Sequence, residues 1–184
     1  MKFKKISFLI FFSLIVILST GCDSKKEQKQ EVKQEQKVVI PEFNLTTNDG
    51  KSIKIIANPD GWEFPQYKNK AVLLNFFATW CPPCKAEIPH LVALKDKYKD
   101  KFEVIAILVE QNKLQAVVDE FIKEHGVTYP IANGPENFKL VNAVGGVPSI
   151  PTMFLFNKNG RIINKYVGMV PQEMLDSEIQ KALK

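Results

Sequence analysis

Cys81 and Cys84, in Trp80-Cys81-Pro82-Pro83-Cys84, are two thiols whose spacing could carry chemistry. Two intervening residues bring both sulfurs within bonding distance once a helical turn forms. An apolar run, Ala71–Phe77, ends just before them, and helical spacing begins at Cys84. Cys81 therefore sits at a helix N-terminus, where unpaired N–H groups and the positive end of the dipole favour a thiolate. A thiolate is the attacking species in thiol–disulfide exchange. Cys81 is thus expected to attack, and Cys84, expected to be less exposed, to resolve the mixed disulfide. Pro82 and Pro83 suit a first helical turn and withhold two donors from the Cys81 sulfur, which favours a reducing pair.

Plainer readings compete with this one. A closed zinc site needs four ligands, and beyond the pair the domain offers only His90 and His125, so no metal is expected. A purely structural disulfide would barely constrain so short a loop. Glu87 follows Cys84 by three positions, so the two can share a helix face. A shielded carboxylate there, its pKa raised toward neutrality, could take the Cys84 proton, which makes Glu87 a third candidate catalytic residue. The alternative is an ordinary solvated helix Glu. Trp80 is expected to shield the disulfide or else to pack in the core. Lys85 and Lys95 read as solvated charges.

The elements that must position these groups alternate. Residues 43–46 and 52–55 flank Asn48-Asp49-Gly50, a hairpin signal. Ala71–Phe77 and residues 102–109 are continuous apolar runs suited to buried central strands. Residues 84–98 and 114–124 have helical spacing, the second with Leu114, Val117, Val118 and Phe121 on one face and Gly126 as its C-cap. A short strand at 129–132 and a helix at 136–144 follow. Thr152–Phe156 and Ile162–Val167 flank a second hairpin turn, and Pro171 is placed at N1 of a last helix. This order predicts an α/β three-layer sandwich, with parallel pairs where helices intervene and an antiparallel edge from the terminal hairpin.

The N-terminus reads as an address. Lys2, Lys4 and Lys5 precede an apolar stretch from Ile6 that ends in Ser19-Thr20-Gly21-Cys22. At 15 residues, Ile6 to Thr20 is about 22 Å as a helix, short of the roughly 30 Å hydrocarbon core. Residues 1–21 are expected to be a lipoprotein signal peptide with Cys22 as the lipidated residue; an uncleaved anchor and plain secretion are the alternatives. Each places the remaining chain outside the cytoplasm. Residues 22–37 are polar and low in complexity, with like charges repeating at i+4, and read as a solvated tether to a domain spanning 38–184. The chain has 25 Lys+Arg against 20 Asp+Glu, but three of those lysines belong to the first five residues, so no basic stripe remains and no nucleic-acid partner is expected. No glycine-rich loop or cofactor motif is present, and no cofactor is expected.

The segment Phe77-Ala78-Thr79-Trp80-Cys81-Pro82-Pro83-Cys84-Lys85, after an apolar strand, resembles the active site of thioredoxin-like proteins, over roughly residues 40 to 183. More narrowly, the chain resembles the membrane-tethered TlpA/ResA type. The extra N-terminal β-hairpin and a helix–strand insertion near 113–132 match that branch. So does Glu87, three residues after the second Cys, with Asn75 where thioredoxins carry a buried Asp. The resemblance implies a cis bond before Pro151, facing the dithiol, with the Ile150 backbone free to pair with a substrate strand. Pro148 is assigned to a turn and Pro89 to a helix kink. It further implies an extracytoplasmic reductant of protein disulfides, with apocytochrome c as a candidate substrate and a membrane thiol-transfer protein as electron donor. The rivals are a thiol peroxidase of the same fold, for which Arg161 is the lone arginine, and a copper-binding lipoprotein.

Overall fold

The computed structural model describes residues 39–184; the expected signal peptide, tether and lipidated Cys22 lie outside the described residues. Its elements are β1 (Glu42–Thr46), β2 (Ser52–Ile56), β3 (Ala71–Phe77), α1 (Pro82–Tyr98), β4 (Phe102–Leu108), α2 (Gln115–His125), β5 (Ile131–Ala132), α3 (Glu136–Ala143), β6 (Thr152–Phe156), β7 (Ile162–Val167) and α4 (Gln172–Ala182). The two apolar runs are the centre of a five-stranded sheet ordered β5-β4-β3-β6-β7. Every residue of β3 and β4 is buried, because both sheet faces are covered.

Alternation along β3 divides the core. Leu73 and Phe77 face α1, α2 and α4, which contribute Ile88, Leu91, Val118, Phe121, Leu175 and Ile179. Val72, Leu74 and Phe76 face the β1–β2 hairpin and α3, through Phe43, Leu45, Ile53, Ile55 and Leu140. The result is a three-layer sandwich in which a hairpin supplies much of one outer layer. The same hairpin covers a sheet edge. Thr47 bridges Ala132, the Asn48 N–H donates to the Ile131 carbonyl (2.9 Å), and the Asn133 N–H donates to the Thr46 carbonyl (2.9 Å). A strand of two residues is thereby shielded from further pairing.

The terminal hairpin forms the expected antiparallel edge, joined to the sheet by β6 lying antiparallel beside β3. Several other elements depart from the sequence reading. Strand β5 is shorter than residues 129–132, since Pro130 has no N–H for a ladder and only its carbonyl is used, by Ala106 N. Leu114 precedes α2 as its N-cap and is 71% exposed, and Val117 is exposed too; only Val118 and Phe121 form the buried stripe. Pro171 is the N-cap of α4 with extended ψ, one position earlier than expected. Lys95 is half-buried and paired: its Nζ lies 3.4 Å from Glu103 and donates to the Thr128 carbonyl at 2.8 Å.

Candidate active site

The dithiol stands where β3 hands over to α1. The chain turns after Phe77, closed by the Cys81 N–H donating to the Ala78 carbonyl (3.2 Å). Cys81 is the N-cap of α1, in extended conformation, and prolines fill the first two helical positions. Those prolines have no N–H, so the first amide the helix offers is that of Cys84. It donates to the Cys81 sulfur at 3.3 Å. The sulfurs are bonded to each other, with Cα atoms 5.3 Å apart. Cys81 is 2% and Cys84 1% exposed. The expected difference in exposure between them is thus absent in the oxidised form, where each sulfur is turned onto the other. Trp80 is 65% exposed, which removes the core-packing alternative for its indole.

A second loop, before β6, packs on the core cluster that contains the dithiol. The Ile150–Pro151 peptide bond is cis. Ile150 packs against the same cluster of buried side chains that holds both cysteines. Thr152, fully buried, donates its hydroxyl to the Ser149 carbonyl at 2.7 Å. The Gly168 N–H donates to the Pro151 carbonyl at 2.8 Å, so the segment after β7 is strapped to this loop.

That same segment reaches α1 through Glu87. The Glu87 Oε1 accepts from the Val170 N–H at 3.0 Å. Glu87 is 1% exposed, which removes the solvated alternative. Its Oε2 is buried with no partner among the described residues, as is Oδ1 of Asn75 on the α1-facing side of β3. Burial raises the Glu87 carboxyl to about 7, against the opposing pull of the Val170 N–H. Tyr129 lies close enough for the Glu87 charge to add to the burial that raises its phenol. A carboxyl poised near neutrality one helical turn from Cys84 can take up and return a proton.

One residue beside the site was not singled out from sequence. Glu110, two residues past β4, accepts from both the N–H (2.6 Å) and the hydroxyl (2.7 Å) of Thr79. The available signal was positional: it is the first charge after the apolar run, at the carboxyl end of a strand beside β3, where α/β sheets build their sites.

Known proteins agree with this geometry. Residues 33–183 match the Redoxin family. The chain belongs to that family. A relative, the thiol-disulfide oxidoreductase ResA of Bacillus thuringiensis subsp. konkukian, is 30% identical over 187 residues, covering 98% of each chain. The thioredoxin-like protein YneN of Bacillus subtilis is 30% identical over 152 residues, 82% of each. Among solved structures, StoA from Bacillus subtilis aligns over 76% of this chain and 96% of its own, with a TM-score of 0.57 and 30% identity. A thioredoxin-family thiol:disulfide interchange protein from Chlorobium tepidum aligns over 78% and 94%, with a TM-score of 0.65 and 32% identity. Fold, bonded cysteine pair and relatives converge on one class of activity, thiol–disulfide exchange, for this member of the family.

Proposed function

We propose that the chain is an extracytoplasmic reductant of protein disulfides, anchored through Cys22. The observation that carries the exchange chemistry is the Cys81–Cys84 pair at the start of α1, with the first helical amide directed at Cys81. In the reduced protein the Cys81 thiolate attacks a substrate disulfide. A Cys81–substrate bond forms, and the other substrate sulfur leaves as a thiolate that takes a proton from solvent. Glu87 accepts the Cys84 proton, and the Cys84 thiolate attacks Cys81. The second substrate sulfur departs and takes a proton, leaving two substrate thiols and the Cys81–Cys84 disulfide. Two electrons have moved to the substrate. A membrane thiol-transfer protein returns them, since an oxidising compartment does not.

Trp80 and the backbone of Ile150 before Pro151 form the docking lip in this reading. The ResA, YneN and StoA relatives favour the tethered type, for which apocytochrome c is the candidate substrate. The N-terminal Lys2 to Cys22 segment supports export and lipidation. No helix among the described residues is long and apolar enough to cross a membrane. A peroxidase would call on an arginine beside its thiol; Arg161 lies at the β6–β7 turn, the opposite end of those strands from Pro151.

Insulin-disulfide reduction tests the assignment. The wild-type protein should reduce insulin and the Cys81→Ser protein should not; full activity without Cys81 would refute it. Equilibration with glutathione gives the direction. A potential near about −270 mV fits a reductant, and one near about −120 mV an oxidant.

A further inference from the structure

We propose that Glu110 is a positioning residue for the dithiol, acting through Thr79. The proposal rests on the exchange reading above. Thr79 lies in the middle of the turn that the Cys81 N–H closes onto the Ala78 carbonyl. A single oxygen, Oε1 of Glu110, accepts both the backbone N–H and the side-chain hydroxyl of that residue, at 2.6 and 2.7 Å. Two bonds to one residue fix its backbone and its rotamer together. The other oxygen, Oε2, is 2.6 Å from the Lys113 ammonium. Both side chains are mostly withdrawn from water, at 12% and 24% exposure. Burial works to raise the Glu110 carboxyl, but Lys113 and Thr79 outweigh it and hold the group below its ordinary value.

The bracket is itself anchored. Asn133 Nδ2 donates to the Lys113 carbonyl (3.1 Å) and to Gln115 Oε1 (3.2 Å). Gln115 Nε2 donates to the Asn48 carbonyl (3.3 Å), in the turn of the β1–β2 hairpin. The turn before Cys81 is therefore held against β4, the end of β5 and the hairpin together. Glu110 touches neither sulfur. Its contribution is to keep the approach to Cys81 aligned with the start of α1, where a helix terminus favours a thiolate.

The test uses the full chain in its reduced form with two readouts. One is the pH midpoint of Cys81 alkylation by iodoacetamide, read by peptide mass, which needs no substrate. The other is the rate of insulin reduction. Glu110→Ala should raise the midpoint by about half a pH unit and slow reduction about tenfold. Loss of a nearby negative charge alone would lower the midpoint, so the sign separates positioning from charge. Glu110→Gln keeps an acceptor for Thr79 and should recover most of both effects. Thr79→Val keeps the N–H but loses the hydroxyl, and should give a smaller upward shift. A wild-type or lowered midpoint in Glu110→Ala, or a Glu110→Gln protein as impaired as Glu110→Ala, overturns the proposal. Should Glu110→Ala fail to fold, an unshifted Thr79→Val overturns it instead. If the wild-type chain itself reduces no insulin, the exchange reading falls, while the alkylation midpoint still decides the role of Glu110.

Discussion

At the scale of single residues, Glu87 has the most consequential environment. Its carboxyl is shut away from water with one oxygen on an amide and the other unpartnered. Burial lifts it from the ordinary 4.5 to about 7. The folded protein thus holds a proton between those values that the unfolded chain has released. Stability is greatest below about pH 4.5 on this account and is lost as pH rises toward 7, by about 3 kcal/mol for a shift of this size. Denaturant melts of the oxidised protein at pH 5 and pH 8 measure this. The Glu87→Gln protein should lose that pH dependence. The same substitution should remove an inflection near pH 7 from the rate of mixed-disulfide resolution, followed by release of a chromophoric thiol. A profile unchanged by Glu87→Gln would deny the carboxyl its proton-transfer role.

At the scale of elements, the β6–β7 turn fastens onto the loop before β3. Gly160, in the β6–β7 turn, has φ +73, and its carbonyl accepts from the Trp62 N–H at 2.7 Å. A Cβ there would stand 1.7 Å from the Trp62 carbonyl oxygen. Gly160→Ala should therefore cost at least about 2 kcal/mol, seen as a lower denaturant midpoint with an unchanged slope. In the β1–β2 hairpin, fully buried Leu45 fills the core beside Phe76 and Ile105. Leu45→Ala should cost about 2–5 kcal/mol by the same measurement. The hairpins and central strands were legible in the sequence because alternation, turn glycines and continuous apolar runs are local signals. The partners of α2 were not. Its apolar spacing includes Leu114 and Val117, but the helix begins only at Gln115 and the sheet reaches only Val118 and Phe121.

At the scale of the whole molecule, the hairpin is both a lid on one sheet face and a guard on the β5 edge. A chain beginning at residue 58 would expose Phe76 and Ile107 and leave the β5 edge unpaired. It should associate, visible in size-exclusion chromatography; a monodisperse shortened chain with a cooperative melt would contradict the role given to the hairpin. The pair Cys81 and Cys84 was plain from four consecutive residues, and Pro151 came from resemblance. Glu110 was out of reach because its meaning depends on β3 and β4 ending side by side, which is a property of pairing and not of spacing. The adjacency of β6 to β3 escaped for the same reason. The amide of Cys84, directed at the sulfur of Cys81, has a wider consequence. With proline at both earlier positions, the Cys84 N–H is the first amide that α1 presents to that sulfur, so fraying of the first turn would change thiol reactivity as well, and a partner that pries that turn open would retune the redox couple in the same motion.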